Sequence, residues 1–258
     1  MEEAASDPWP LLLDEPVSPP AAQYFEQMLA RRKAGEPLQY VLGRWGFRRL
    51  DLMVDRRVLI PRPETEQVVS VALEELERLA ELDSADPVIV DLGTGSGAIA
   101  LSLAAEGRRG AVWATDCSDE ALAVARANLA GLSGFAAARV RVLSGSWWSA
   151  LPDWLKGNIS LAVSNPPYVT TAEMTSLPLE VQKWEPAVAL HGGPTGLDAI
   201  SVIVSEAPAW LARPGTLVLE MAPHQAAAVA GLVELAGFDS VQVKPDLAGR
   251  ERILVARL

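Results

Sequence analysis

The stretch Val88-Ile89-Val90-Asp91-Leu92-Gly93-Thr94-Gly95-Ser96-Gly97 decides the fold of this chain. Its apolar beginning predicts a buried strand over residues 88–90, and the apolar run that follows it predicts a helix over residues 98–105. Glycines let the backbone pass close to a ligand, and the first turn of a helix offers free N–H groups. A strand, a glycine-rich turn and a helix in this order are typical of α/β folds that bind nucleotides.

Strands and helices alternate from this stretch to the C-terminus. The predicted strands are residues 88–90, 111–115, 140–143, 159–163, 216–221, 241–244 and 252–256. The predicted helices are residues 98–105, 119–129 capped by Ser118, 197–211 broken or ended by Pro208, and 225–235 closed by Gly237. The last two strands have no crossover helix between them, so they should pair antiparallel. The pattern predicts an α/β fold with a Rossmann-like, doubly wound, seven-stranded, mostly parallel sheet and an antiparallel last strand.

The chain before residue 88 does not show this alternation of strands and helices. Residues 1–20 are rich in Pro, Asp and Glu and are expected to be poorly ordered. One helix is predicted over residues 23–33, a small hairpin over residues 45–54, and a stiff turn over residues 59–66 that opens a helix capped by Thr65. We therefore divide the chain into a short helical and hairpin region, residues 1–60, and a main domain, residues 61–258.

Composition limits the classes of function. Half of the 258 residues are hydrophobic and 21% are charged, as in ordinary globular proteins, and the formal net charge is −11. Such a charge argues against general binding to nucleic acid. Cys117 is the only cysteine, and no Cys/His cluster has the spacing of metal ligands, so neither a disulfide nor a metal is expected. The N-terminus does not resemble a signal peptide and no apolar run reaches membrane-spanning length, so we expect a cytoplasmic protein.

The glycine-rich turn indicates a particular kind of cofactor. Asp116 ends the second strand about 20 residues further on, where an acidic group commonly binds ribose hydroxyls. The spacing is G-x-G-x-G, and the charge of Asp91 would repel a pyrophosphate but suits a cation or an ammonium group. This favours S-adenosylmethionine over NAD. The alternative is a turn whose glycines serve packing alone, but that alternative leaves Asp116 unexplained.

The glycine-rich turn forms one rim at the carboxyl end of the predicted sheet. A second rim follows the strand at residues 159–163, where the chain reads Asn165-Pro166-Pro167-Tyr168. Proline cannot extend a sheet ladder, so the strand ends here. The Asn165 side chain and the Pro166 carbonyl offer two acceptors, which suit a planar NH2 group, and Tyr168 offers a flat face for stacking. A simple strand-ending turn is the alternative for this rim taken alone.

The two rims together predict a reaction class. Strands one and four are neighbours in a doubly wound sheet, so the rim would lie beside the methyl donor. The predicted reaction is methyl transfer to a planar amide or amine nitrogen. Acceptors that hold the N–H bonds would orient the nitrogen and stabilise the positive charge that develops on it. A general base is not needed in the slow step, because an alkylated amide cation loses its proton readily to water.

The sequence resembles the release-factor glutamine N5-methyltransferase family. The resemblance begins near Gly35 and rests on five groups of motifs, residues 35–43, 60–66, 91–97, 165–168 and 184–187. Further matches are Leu190, Gly192, Gly193, Glu220, Gln225, Asp246, Gly249 and Arg250. This resemblance implies that the substrate is the glutamine of the Gly-Gly-Gln motif of peptide-chain release factors. We expect a monomer that makes no direct contact with nucleic acid or with a membrane.

The resemblance also assigns residues. It implies that Gly93, Thr94, Gly95, Ser96 and Gly97, with Asp91, hold the methionine part of the cofactor. Asp116 would bind ribose, and Trp147 with Ser146 would contact the adenosine. Asn165, Pro166, Pro167 and Tyr168 would bind the glutamine amide, with Asn165 also near the cofactor, and residues 62–66 would help close the pocket. Asn165, Pro166 and Tyr168 are the expected catalytic residues.

Two departures from the family and three alternatives accompany this interpretation. Ser146 stands where the family often has an acidic residue, and the N-terminal helical region is shorter than usual, so adenine binding and substrate docking are expected to differ. A glutamine methyltransferase for a ribosomal protein has overlapping motifs. A DNA adenine-N6 methyltransferase uses a similar rim on a flipped base. An inactive cofactor-binding module is the alternative from another class.

Overall fold

The computed structural model describes residues 16–82 and 85–258. Its helices are α1 (Pro19–Lys33), α2 (Leu38–Leu42), α3 (Pro63–Leu82), α4 (Ala98–Glu106), α5 (Asp119–Gly131), α6 (Gly134–Ala138), α7 (Thr171–Met174), α8 (Leu179–Trp184), α9 (Asp198–Trp210) and α10 (Ala226–Leu235). Its strands are β1 (Arg44–Phe47), β2 (Leu50–Met53), β3 (Val88–Leu92), β4 (Ala111–Asp116), β5 (Val140–Ser144), β6 (Ile159–Ser164), β7 (Leu211–Glu220), β8 (Ser240–Pro245) and β9 (Glu251–Arg257).

Seven of these strands form one sheet in the order β5-β4-β3-β6-β7-β9-β8. The first five are parallel to one another, and β9 is antiparallel to both of its neighbours, β7 and β8. The predicted fold class and the antiparallel last strand are therefore confirmed. Strands β3 and β6 are direct neighbours, so the two predicted rims lie side by side.

Helices cover both faces of the sheet because each presents an apolar side to it. Val68 of α3 and Leu101 of α4 pack on one face, and Ile203 of α9 and Val229 of α10 pack on the other. On the second face the fully buried Trp148 donates its indole N–H to the Ile203 carbonyl at 3.0 Å. Burial on both faces explains why the central strands read as continuous apolar runs.

Before the sheet, β1 and β2 form the predicted antiparallel hairpin. Helix α1 begins earlier than predicted, at Pro19, with Ser18 as its cap and prolines in its first turn. Proline suits that place because its fixed φ is already helical and its missing N–H would have no partner there. The prediction that residues 1–20 are poorly ordered is therefore wrong for residues 19 and 20. Residues 1–15 lie outside the described part of the chain.

Helix α9 runs through Pro208 to Trp210, so the prediction that this proline breaks the helix is wrong. Proline removes one hydrogen bond, here to the carbonyl of Val204 one turn earlier. The loss falls in the last turn, where few bonds remain to be disturbed. Ala207 and Trp210 are buried there and keep the turn against the sheet.

A buried carboxylate joins α3 to two strands at the end of the sheet far from the rims. Glu75 accepts two hydrogen bonds from Arg257, at 2.6 and 2.9 Å, one from Arg78 at 2.8 Å and a long one from Thr216. Burial alone would raise the pKa of Glu75, but the hydrogen bonds from Arg257 and Arg78 outweigh it and lower the pKa to about 2. The ionised form is therefore the one that stabilises the fold.

Glu75→Gln is expected to lower the free energy of unfolding at pH 7 by about 2 to 3 kcal/mol, since a hydrogen bond to a charged group contributes about 1.5 to 3 kcal/mol. Because the folded pKa lies below the unfolded value near 4.5, this stabilisation is complete above pH 4.5 and is lost as pH falls toward 2. Urea unfolding of both proteins at several pH values measures it. A difference between them that stays constant from pH 6 to pH 3 would contradict the assignment.

Candidate active site

A cavity of about 460 Å³ opens at the carboxyl ends of β3, β4 and β6. Its position follows from the sheet register, in which Leu92 pairs with Ser164 where β3 and β6 end. The Ser164 hydroxyl donates to the Leu92 carbonyl at 2.6 Å and fixes the two strand ends together. A cavity of this size is in the range of small-molecule sites.

The glycine-rich loop forms the floor of this cavity. Gly93 has φ +76°, and a Cβ there would lie 3.2 Å from the Trp147 ring, so a side chain is disfavoured by both backbone and space. Beyond the loop, Ala98 and Ile99 begin α4 and also line the cavity. Their N–H groups lack an intrahelical partner, as in every first turn, and no described residue accepts from them. The floor thus offers donors for an anionic group.

Asp91 lies beneath this loop, fully buried. Its Oδ2 accepts from the Thr94 hydroxyl at 2.6 Å and from the Ala100 N–H at 3.0 Å, so it ties the loop to α4. Its Oδ1 is buried and has no partner among the described residues. Burial raises the pKa of Asp91 to about 7, against the effect of the two hydrogen bonds. An unpaired buried oxygen of this kind is rare in proteins and is one that a donor on a ligand would satisfy.

Asp91→Asn is expected to make the free protein more stable above pH 7, by more than about 1 kcal/mol, because it removes a buried charge. Between pH 4 and 7 the unfolded chain ionises this carboxyl while the folded chain keeps its proton, so wild-type stability falls as pH rises through that range. Thermal unfolding of both proteins from pH 5 to 8.5 measures the difference. A stability gain of equal size at every pH would contradict this account.

Asp116 and Trp147 form the wall next to the floor. Asp116 accepts from the Gly95 N–H at 2.9 Å and from the Ser118 N–H at 2.9 Å, and burial raises its pKa while these hydrogen bonds oppose the rise. Trp147 adopts φ +47°, which is uncommon for a bulky residue. Its ring lies over Gly93, and the exposed Ser146 borders it. A strained aromatic residue beside a carboxylate is typical of a ligand site.

The opposite wall is the rim after β6, where Asn165 and Pro167 line the cavity. The Asn165 Nδ2 donates to the Thr65 hydroxyl at 3.1 Å, and that hydroxyl donates to Glu220 Oε2 at 2.7 Å. Thr65 is the third residue of α3, and its side chain is turned to the sheet. The prediction that Thr65 caps this helix is therefore wrong. No described residue donates to the Asn165 Oδ1, so this oxygen is available to the cavity.

The rim is supported from behind by Gln225. Its Nε2 donates to the carbonyls of Tyr168, Thr195 and Gly196 at 3.0 to 3.3 Å. At Gly196, with φ +73°, a Cβ would lie 2.2 Å from the Tyr168 carbonyl oxygen, so no side chain fits. Gln225 and Gly196 thus hold the backbone of the rim in place.

The mouth of the cavity is bounded by two loops that an ion pair joins. Arg62 binds the buried Glu185 at 2.5 Å, and Glu185 also accepts from the Ile60 N–H at 3.3 Å. Val188 and His191 line the cavity beyond Glu185. Sequence reasoning gave neither of them a role, because neither belongs to a motif whose chemistry could be read from the residues.

The structure brings most of the predicted site residues to one cavity. Those that line it are Gly93, Thr94, Gly95, Ser96, Asp116, Ser146, Trp147, Asn165 and Pro167. The others, Asp91, Gly97, Pro166 and Tyr168, are next to lining residues in the chain or in space but do not themselves line the cavity. In the part of the chain that the structure describes, no group of acidic, histidine and cysteine side chains could hold a metal ion, and none of the helices there has the length and apolar character to cross a bilayer.

Solved structures share this fold. The hMettl16 catalytic domain in complex with MAT2A 3′UTR hairpin 6 is 14% identical, with a TM-score of 0.61 over 95% of this chain and 84% of that one. The N-terminal domain of human METTL16 in complex with SAH gives a TM-score of 0.57 at 16% identity, over 90% and 83%. The family model "Methyltransferase small domain" matches residues 73–180. The family model, together with the relatives in sequence described next, shows the class of the protein, a methyltransferase.

Relatives in sequence narrow the class. The model "PrmC N-terminal domain" matches residues 9–43. A release factor glutamine methyltransferase from Cereibacter sphaeroides is 43% identical over 96% of this chain and 84% of its own length. One from Moorella thermoacetica is 44% identical over 95% and 83%. The chain belongs to the release factor glutamine methyltransferase family.

Proposed function

We propose that this enzyme transfers a methyl group from S-adenosylmethionine to the side-chain amide nitrogen, N5, of the glutamine in the Gly-Gly-Gln motif of peptide-chain release factors. The observation that carries the proposal is the Asn165 Oδ1, an unpaired acceptor in the wall of the cavity whose floor is the glycine-rich loop. Relatives named for this activity, at 43 and 44% identity over most of their length, support it.

The residues of the floor suit S-adenosylmethionine. We assign the methionine part to Gly93, Thr94, Gly95, Ser96 and Gly97: the first-turn N–H groups next to this loop can donate to a carboxylate, and the unpaired Asp91 Oδ1 beneath it can accept from an ammonium group. Asp116 would hold the ribose hydroxyls. Trp147 would cover the adenosine, and Ser146 would accept from the adenine amine. When bound, this cofactor supplies an electrophilic methyl carbon on a sulfonium.

The rim residues suit the glutamine amide. The Asn165 Oδ1 and the Pro166 carbonyl would accept the two N–H bonds of the substrate, and Tyr168 with Pro167 would border its plane. An amide nitrogen is a poor nucleophile, because its lone pair is shared with the carbonyl. Two fixed acceptors orient that nitrogen and stabilise the positive charge that grows on it as the new bond forms. The product then loses its proton to water.

The proposal extends to the rest of the molecule. We propose that residues 1–60 form the region that helps to dock the release factor and residues 61–258 the methyltransferase domain. We further propose that the enzyme works in the cytoplasm as a monomer, with the release factor as its partner and without direct contact to nucleic acid. Sedimentation of the purified protein alone and with a release factor tests the monomer and the pairing.

The test of the activity is transfer of labelled methyl from S-adenosylmethionine to a purified release factor. The control substrate is the same factor with the glutamine of its Gly-Gly-Gln motif changed to alanine. We expect label on the wild-type factor alone. Label on both factors would show that the acceptor is a different residue of the release factor. Ribosomal protein and DNA are tested as substrates in parallel, and label on either of them instead of the factor would replace the proposed substrate.

A further inference from the structure

A chain of hydrogen bonds leads from Asn165 into the protein. The Asn165 Nδ2 donates to Thr65 Oγ1 at 3.1 Å, and the Thr65 hydroxyl donates to Glu220 Oε2 at 2.7 Å. On the other carboxylate oxygen, Oε1, the Tyr168 hydroxyl donates at 3.2 Å. The Tyr168 oxygen in turn accepts from Arg252 at 3.4 Å. Glu220, 1% exposed, is the centre of this chain.

The direction of each hydrogen bond follows from the chemistry of Glu220. An ionised carboxylate can only accept, and here both of its oxygens receive a hydroxyl donor. Burial raises the pKa of Glu220 above its usual value, and Thr65, Arg252 and Tyr168 limit that rise without cancelling it. The geometry favours the ionised form, because the oxygens of Thr65 and Tyr168 already accept from the Asn165 Nδ2 and from Arg252 and are not placed to accept a carboxyl proton. The Thr65 hydrogen is thus committed to Glu220, and the Thr65 oxygen can only accept from Asn165. This leaves the Asn165 NH2 turned to Thr65 and its Oδ1 turned to the cavity.

We propose that Glu220, acting through Thr65, is a positioning residue that fixes which end of the Asn165 amide faces the substrate. The inference rests on the proposed function, in which the Asn165 Oδ1 accepts from the glutamine NH2. An amide turned by 180° would present its own NH2 to that group, donor against donor. Because the two orientations have nearly the same shape, packing alone discriminates weakly between them, and the polarity of Thr65 decides.

Glu220→Gln inverts this polarity without changing the shape of the side chain. The amide has one acceptor oxygen for two hydroxyl donors, Thr65 and Tyr168. Tyr168 must keep that oxygen, because its other neighbour, Arg252, can only donate. The new NH2 then faces Thr65, whose hydrogen is released toward Asn165. The hydroxyls of Thr65 and Tyr168 both keep an acceptor only if the Asn165 amide turns over, so that its Oδ1 accepts from Thr65 and its NH2 faces the cavity.

The test compares three variants: Glu220→Gln, Thr65→Val, and both together. Glu220→Gln is expected to lower kcat by roughly 100-fold, as loss of one contact to the developing charge does. Thr65→Val removes the link and leaves the amide free to take either orientation, so kcat falls by about tenfold at most. The double variant is expected to return to the Thr65→Val level. A rescue of this kind follows from inverted polarity and not from a weakened fold.

Two results would overturn the proposal. One is a Glu220→Gln enzyme with kcat within threefold of wild type, and the other is a double variant no faster than Glu220→Gln alone. If Glu220→Gln does not fold, Thr65→Ser against Thr65→Val carries the test: serine keeps the hydroxyl and should keep the activity. Equal kcat for the serine and valine variants would then overturn the proposal.

Controls separate positioning from stability and from the proposed function. Glu75→Gln alters another buried carboxylate between α3 and β7, so it should reduce stability while leaving kcat unchanged. Affinity for S-adenosylhomocysteine, measured by calorimetry, should be the same in all variants. Wild-type enzyme that labels no release factor in the same assay would count against the proposed function, whereas active wild type with unaffected variants would count against Glu220 alone.

Discussion

Asn165→Ala is expected to lower kcat by roughly two to three powers of ten, comparable to the loss of one donor from an oxyanion hole. The physical reason is that Asn165 offers the unpaired acceptor of the rim, and the substrate nitrogen gains positive charge only as the reaction proceeds. The contact is therefore stronger in the transition state than in the ground state. KM for the release factor should change much less, because that protein binds over a larger surface.

Single-turnover methyl transfer with saturating release factor measures this effect. The matched control is Asn158→Ala, which should leave kcat unchanged. Asn158 is exposed and immediately precedes β6, at the opposite end of the strand from Asn165. The affinity for S-adenosylhomocysteine should stay near the wild-type value. An Asn165→Ala enzyme with unchanged turnover would remove Asn165 from the mechanism.

Asp116→Ala is expected to weaken S-adenosylmethionine binding by about 100-fold, since hydrogen bonds to a charged group contribute about 1.5 to 3 kcal/mol and each 1.4 kcal/mol is a factor of ten. The carboxylate is the acceptor proposed for the ribose hydroxyls. It also holds the Gly95 N–H, so its loss loosens the floor of the cavity as well. The defect should appear in the KM for the cofactor, and kcat at saturation should recover.

Isothermal calorimetry with S-adenosylhomocysteine measures the affinity directly. Asp119→Ala serves as the control, because Asp119 is an exposed carboxylate three residues along the chain that binds only the Ser144 hydroxyl among the described residues. If both variants bind equally well, Asp116 does not hold the ribose. If Asp116→Ala lowers kcat and leaves the affinity intact, its role lies in the reaction instead.

The sheet and the two rims could be predicted from the sequence because their signals are local. Apolar runs, the glycine spacing and the Asn-Pro-Pro-Tyr segment each reflect the backbone at their own position. The prediction that β3 and β6 are neighbours needed only the general topology of doubly wound sheets. These parts of the site follow from short stretches of chain, so they were found without knowledge of the packing.

Contacts between distant residues could not be read in this way. The residues around Thr65 in the sequence predict a helix cap. Its hydroxyl instead donates to Glu220, which lies 155 positions further along the chain. Glu220 matched a family motif without a physical role, and nothing in its own neighbourhood marks it as the partner of Thr65 and Tyr168. Such contacts exist only once α3 is packed on β7.

One further side chain connects the hairpin to the glycine-rich loop. Asn128 of α5 accepts from the Met53 N–H at 2.7 Å and donates to the carbonyls of Met53 at 3.0 Å and Ser96 at 2.8 Å. Residues from both proposed regions therefore share one buried amide. A chimera that exchanges residues 1–60 for those of another enzyme would disturb the cofactor loop unless its own hairpin presents the same backbone pair to Asn128. Any exchange of the N-terminal region therefore has to preserve the backbone groups of residue 53 that Asn128 binds, because the same amide holds the glycine-rich loop.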